Sequence, residues 1–241
     1  MSTVAIHQPN FVPSAGYFAK MLAADLFILL DSVDYTRNNW TNRNRIKGAN
    51  GVQWLTVPVL THGRLGQRIR NVEINNQERW QHRHWQAISS CYRKATHFAR
   101  YAARIEQLYK TPIQYLAEWN EIWLRWIYDD LGATSRLVRS SELCGIEGQG
   151  TELIASLCAA VKANVYISGV GGKHYLDLDR MASIGVEVRY QENHPQPYTQ
   201  LFGEFESNLS ILDLLLNEGP GAAEIVRASV RIEQPGARVF S

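Results

Sequence analysis

Two spacings of apolar residues alternate along the first thirty positions. Thr3–Ile6 is a short β-branched run ending at His7, the pattern of a strand. Over Ala15–Ala24, Tyr17, Phe18, Met21 and Leu22 fall on one helical face, with Ser14 placed to cap the helix. Leu26–Leu30 is continuously apolar and stops at Asp31, as expected of a strand buried on both faces of a parallel sheet. Between strand and helix, Pro9 and Pro13 push their predecessors out of helical geometry, so Gln8–Pro13 reads as a loop. A strand–helix–strand unit this short is expected to be parallel and right-handed.

The same alternation returns in the second half of the chain. Arg136–Arg139 is a strand candidate, followed by a loop carrying Gly145, Gly148 and Gly150. Thr151–Ala163 reads as a helix and Val165–Ser168 as a buried strand. Next come Gly169-Val170-Gly171-Gly172-Lys173, a short helix over Leu176–Ser183 and a strand over Val186–Tyr190. Four or five parallel strands from two separated blocks predict an α/β fold, a Rossmann-like open and mostly parallel sheet. Residues 1–241 are read as a single domain in which 38–135 forms a largely helical insertion. Within the insertion, Trp54–Val59 alternates as a strand, and Trp80–Tyr109 and Ile113–Leu131 have the spacing of long helices. A further helix over Ser210–Asn217 precedes Gly219-Pro220-Gly221, and the tail beyond has no clear pattern.

Charge changes this picture. The formal net charge of the 241 residues is only +2, yet residues 35–110 hold 14 Lys/Arg against Glu73, Glu78 and Glu106. All seven Trp lie between Trp40 and Trp126, so the insertion is both basic and tryptophan-rich. The Trp119/Trp123/Trp126 stripe, with Trp80 and Trp85, reads as core packing. The apolar runs are too short to span a bilayer. With no basic segment leading into an apolar one at the N-terminus, the expectation is a cytoplasmic protein without membrane association. Cys91, Cys144 and Cys158 lack CxxC spacing and fit neither a disulfide framework nor a zinc site. His82 and His84 are two apart, which does not place two imidazoles on one helix face, so no metal is expected there.

In an open parallel sheet, ligands bind at the carboxyl ends of the strands, and three clusters are expected to meet there. The first is His7-Gln8-Pro9-Asn10 with Tyr17 and Lys20; the second is Asp31 with Tyr35 and Arg37; the third is Gly169–Lys173 with Tyr175. His7 serves as a general base or acid, or as a phosphate ligand once protonated. The start of the helix after Pro13 favours an anion. GVGGK lacks Walker A spacing and stands as either a tight turn or a phosphate cradle. Arg37–Lys47 holds four cations, four Asn and no acid, and Arg43, Asn44 and Arg45 are its candidate grips on phosphate. His194-Pro195 with Tyr198 and Gln200 either closes over the site or ends the sheet.

The segment HQPNFVPSAGYFAKMLAADLFILLDSVDYTRNNWTNRNRI resembles the opening of the WbqC-like protein family, and YISGVGGKHYLD, HPQPYTQ and LSILDLLLN extend the resemblance over most of the chain. Ser14-Ala15 stands where family members usually carry a bulky Trp or Leu. The resemblance implies a setting in bacterial surface-polysaccharide or specialised-metabolite biosynthesis. It also carries over His7, Asn10, Tyr17, Lys20, Asp31, Arg45, Gly169, Gly171, Gly172 and Lys173 as site positions. A looser likeness of layout to nucleotidylyltransferase-like folds lacks their HxGH motif.

These readings converge on a transferase that joins an acyl or aminoacyl group to an amine on an activated anionic substrate. ATP or an acyl thioester would be the co-substrate. His7, Asn10, Asp31 and Lys20 are its expected catalytic residues. A nucleotidyltransferase acting on ATP or a sugar phosphate is the alternative. An RNA- or carrier-protein-binding module is another, although the acidic remainder of the chain argues against nucleic acid. An acyl carrier protein remains a candidate partner of the basic segment.

Overall fold

A computed structural model describes residues 2–233; the end of the tail, 234–241, lies outside them. Strands β1 (Thr3–His7) and β2 (Leu26–Leu29) flank helix α1 (Ala15–Leu22). A hairpin of β3 (Arg43–Gly48) and β4 (Gly51–Thr56) follows, then helices α2 (Trp80–Tyr92), α3 (Phe98–Lys110) and α4 (Leu116–Asp130). The chain returns to the sheet through β5 (Arg136–Arg139), α5 (Thr151–Ala160), β6 (Val165–Gly169), α6 (Leu178–Ser183) and β7 (Glu187–Asn193). It then forms α7 (Ile211–Glu218), α8 (Ala222–Ala228) and β8 (Val230–Glu233).

The main sheet has the order β5-β2-β1-β6-β7-β8, parallel throughout except for β8. The fold is the expected α/β class. From β1 the chain winds outward through β2 to β5, then returns to the centre and winds the other way through β6 and β7. The reversal therefore falls between β1 and β6, the position at which open α/β sheets leave a crevice for ligands.

Both sheet faces are covered, as the uninterrupted apolar strands require. Val4, Ile6 and Ile28 pack with α5 and its surroundings through Ile154 and Leu157. Ala5, Phe27, Leu29 and Ile167 face α1, the insertion helices and α7. Trp80, Trp119 and Trp123 are fully buried in that second core. Trp119 crosses Trp80 and Trp123 nearly at right angles, with centroids 5.4 and 5.7 Å away. No helix among the described residues is long and apolar enough to cross a membrane.

Three expectations need correction. The helix expected over Trp80–Tyr109 is two helices, because the chain reverses at residues 93–97, where the His97 amide donates to the carbonyl of Leu216. Arg37–Lys47, for which the sequence predicts no strand, contains most of β3, whose inward residues Asn44 and Ile46 are buried. The strand expected at Trp54–Val59 begins earlier, at Gly51, where a φ of +98° suits the hairpin turn. The tail also gains order: α8 packs on α1, and β8 joins the sheet edge.

Candidate functional site

The crevice between β1 and β6 is an open cleft of about 490 Å³. His7 enters it from the end of β1, Gly169 and Gly171 from the end of β6, and Gln191 and Asn193 from the end of β7. Ser14, Gly16, Tyr17 and Lys20 come from α1 and its N-terminal flank. Trp40, Asn44 and Arg45 come from the insertion, and Asn208 precedes α7. Among the described residues, no Asp or Glu lines it.

The loop from His7 to Ser14 is held by distant side chains. Asn120 Nδ2 donates to the carbonyl of Pro9 at 2.7 Å, and Asn44 Nδ2 donates to those of Phe11 and Val12 at 3.2 and 2.9 Å. Ser210 Oγ donates to the Val12 carbonyl at 2.8 Å. These bonds hold Val12 at a φ of +34°, a left-handed conformation that a β-branched residue resists. Such strain persists only where the surroundings over-determine it, and it concentrates at working sites.

His7 is neutral over the whole physiological range. Burial, followed by the charge of Lys20, pushes its pKa down to about 3, against the opposing influence of the Gln8 carbonyl. Nδ1 sits 3.2 Å from that carbonyl oxygen, which only accepts. The proton therefore belongs on Nδ1, and Nε2 keeps its lone pair. Tyr17 lies edge-on to the imidazole with ring centroids 4.8 Å apart, and its hydroxyl donates to the Gln8 carbonyl at 2.9 Å. Burial raises the Tyr17 phenol well above its ordinary pKa, so it remains a donor.

Lys20 is 6% exposed. Among the described residues it has neither a hydrogen bond nor a carboxylate partner, and burial lowers its pKa to about 8. A buried cation is normally paired; this one is aimed at the cleft. Its ammonium lies against Gly169, where a Cβ would stand 3.4 Å from Lys20 Nζ, an ordinary contact. Arg45 adds a second cation whose Nε is buried without a partner. The N-terminus of α1 adds a third positive feature, with no acid in its first turn and no side-chain cap. A Cβ on Gly16 would come within 2.6 Å of Asn193 Oδ1, so a side chain there would displace that amide.

The cleft thus gathers His7, Asn10, Tyr17, Lys20, Asn44, Arg45, Gly169 and Gly171 from the residues expected by sequence. Others lie elsewhere. Asp31 is buried beneath Ser140 and Ser141, accepting from both hydroxyls at 2.9 and 2.7 Å and from the Ser141 amide at 3.0 Å. Arg37 donates to the Thr61 carbonyl, and Arg43 lies 4.4 Å over the Trp54 ring. Tyr35 packs against the larger core. The Gly169–Lys173 segment enters a tight 3-10 turn over Val170–His174, in which a Cβ on Gly172 would collide with Ser168 Oγ. Lys173 pairs with Glu192 at 3.2 Å, and Tyr175 is exposed. Tyr198 and Gln200 donate to the buried Asp213, so the segment after His194 anchors α7. Buried His84 bonds the Thr56 carbonyl, while His82 is exposed. Cleft residues outside the sequence pattern are Gly16, Trp40, Gln191, Asn193 and Asn208. The polar Gln191-Glu192-Asn193 at a strand end is the available signal for two of them.

Asp31→Ala separates its structural part from chemistry. The substitution leaves two hydroxyls and an amide without their acceptor, which costs about 1–3 kcal/mol per buried unsatisfied group. The expected outcome, read by urea denaturation, is a destabilised protein that binds anions in the cleft with unchanged affinity.

The sequence model of the WbqC-like protein family matches residues 8–225. The chain belongs to this family. The match spans the whole cleft apart from His7, which stands one residue before it. The uncharacterized protein Rv1507c of Mycobacterium tuberculosis is 37% identical over 229 residues, covering 94% of this chain and 98% of its own. This WbqC-like chain matches no solved structure.

Proposed function

We propose that the cleft transfers an acyl or aminoacyl group from an activated anionic donor to an amine, forming an amide. The setting implied by the family resemblance is surface-polysaccharide or specialised-metabolite biosynthesis. The observation that carries the reading is the pairing of a neutral imidazole, its Nε2 free, with an unpaired buried ammonium in a cleft whose described lining has no carboxylate. The amine nitrogen attacks the acyl carbon. Its proton passes to His7 Nε2 once bonding to carbon has made it more acidic than in a free ammonium. The C–N bond is kept, the bond from carbon to the leaving group breaks, and the leaving group departs with its electron pair. Asn10, which lines the cleft, is assigned the role of donor to the oxyanion. Lys20, Arg45 and the α1 terminus hold the donor's anionic part. An anion seated beside Lys20 cancels part of the field that depresses His7, so donor binding strengthens the base.

Hydroxylamine stands in for the amine and turns an activated acyl donor into a hydroxamate, read by the colour of its ferric complex. Acyl phosphates, acyl adenylates and acyl thioesters are offered with the enzyme or with the His7→Gln variant. Enzyme-dependent hydroxamate that is lost in the variant supports the reading. Pyrophosphate release from ATP and a sugar phosphate, with no hydroxamate from any donor, replaces it with nucleotidyl transfer.

A further inference from the structure

The wall contributed by the insertion has a use that an anion alone leaves unexplained. Trp40 lines the cleft and is 43% exposed. Trp54, also largely exposed, braces it with ring centroids 5.5 Å apart, and Arg43 in turn lies 4.4 Å over Trp54. The two rings are tilted by 38° to each other, so Trp54 with the guanidinium over it backs Trp40, whose own ring stays part-exposed. The backbone under it is fixed, because the Phe11 amide donates to the Trp40 carbonyl at 3.0 Å. A part-exposed indole with an anchored backbone, beside a cationic pocket, suits a ligand that joins an anion to a flat ring.

We infer that the donor is a nucleoside 5′-phosphate derivative, its phosphate held by Lys20 and Arg45 and its base stacked on Trp40. This rests on the acyl-transfer reading of the same cleft and names the leaving group as a nucleoside monophosphate. Two uncompensated cations and a helix terminus match a phosphate better than a lone carboxylate. The remaining wall is amide-rich. Gln191 Nε2 donates to the Gly16 carbonyl at 2.7 Å and to Asn193 Oδ1 at 2.8 Å, which leaves Asn193 Nδ2 for the cleft. Gln191 Oε1 is buried without a partner. Asn10, Asn193 and Asn208 supply the mixed donors and acceptors that ribose hydroxyls require. A volume of about 490 Å³ lies within the range of roughly 300–1,000 Å³ common for small-ligand sites. In the transfer, the amine nitrogen bonds to the acyl carbon, the acyl–oxygen bond breaks, and the phosphate oxygen leaves with the electron pair while His7 takes the proton.

Isothermal titration of the full chain with AMP, ribose 5-phosphate and adenosine tests the assignment. AMP is expected to bind at least roughly 10-fold more tightly than ribose 5-phosphate, the contribution of one stacked base. Trp40→Leu should bring AMP to the level of ribose 5-phosphate and leave the latter unchanged; Lys20→Met should weaken both. Trp54→Leu, which removes only the brace, should have an intermediate effect, and thermal melting checks that each variant is folded. Equal affinity for AMP and ribose 5-phosphate, or an indifferent Trp40→Leu, overturns the inference. Hydroxamate formation from acyl thioesters without any nucleotide binding also overturns it and leaves acyl transfer standing. Base-dependent AMP binding without hydroxamate from any donor supports the nucleotide site and removes the acyl-transfer reading.

Discussion

Lys20→Met is expected to make the unliganded protein more stable and to weaken anion binding in the cleft sharply. The ammonium is buried and unpaired among the described residues, and burial alone moves its pKa from 10.5 to about 8. That shift corresponds to a penalty on the order of 3 kcal/mol for the charged form at neutral pH. Methionine has a similar length and no charge, so the substitution removes the penalty without opening a cavity. A rise in Tm of roughly 5–10 °C is expected for a chain of this size. The pH dependence has a definite sign. The folded pKa lies below the unfolded one, so between pH 8 and 10.5 the unfolded chain holds more protons. Wild-type stability should therefore rise across that window, and the rise should be missing from Lys20→Met. A group that destabilises the fold and makes no internal bond is explained by what it binds.

His7→Gln is expected to lower kcat by roughly 10²- to 10⁴-fold, the usual contribution of a positioned base, with donor KM and Tm little changed. Glutamine fills similar space and keeps a polar group near the Gln8 carbonyl, but it has no basic nitrogen. In the wild type the pH profile should lack an acid limb near 6.5, because His7 stays neutral down to about 3. Instead kcat/KM should fall above pH 8, where Lys20 loses its proton. Ground-state binding by Lys20 and proton transfer by His7 thus separate in one profile. Acid should unfold the protein by the same logic. His7 and His84, depressed to about 3 and about 4, take up protons more readily unfolded, so stability should decline as pH falls below 6.5.

The sheet is legible in the sequence wherever a strand is buried on both faces, since continuous apolar runs as short as Leu26–Leu30 and Val165–Ser168 suit few elements besides the central strands of a parallel sheet. His7 and Gly169 are legible because the carboxyl ends of such strands are predictable places, and Lys20 because it lies on the helix that follows the first of them. The hairpin of β3 and β4 is hidden. Its buried positions include the polar Asn44 and Lys47, which are bonded to residues distant in sequence. Only Asn50-Gly51, a dipeptide suited to the turn, marks it locally. Asp31 is legible as a strand end, but its surroundings depend on Ser140 and Ser141, more than a hundred positions later. Trp40 illustrates the same difficulty. Spacing groups it with six other tryptophans, and only the tertiary fold sets it in the wall of the cleft while Trp80, Trp119 and Trp123 go to the core.

The most direct test of the cleft as an anion site built around Lys20 is calorimetric titration with sulfate at pH 8, repeated in two buffers of different ionisation enthalpy. Sulfate does not titrate there, whereas Lys20 is about half protonated. A bound dianion restores its charge. The wild type should take up about half a proton per sulfate bound, and Lys20→Met should bind sulfate far more weakly and take up no protons. Sulfate binding without proton uptake, or uptake that persists in Lys20→Met, would contradict the account.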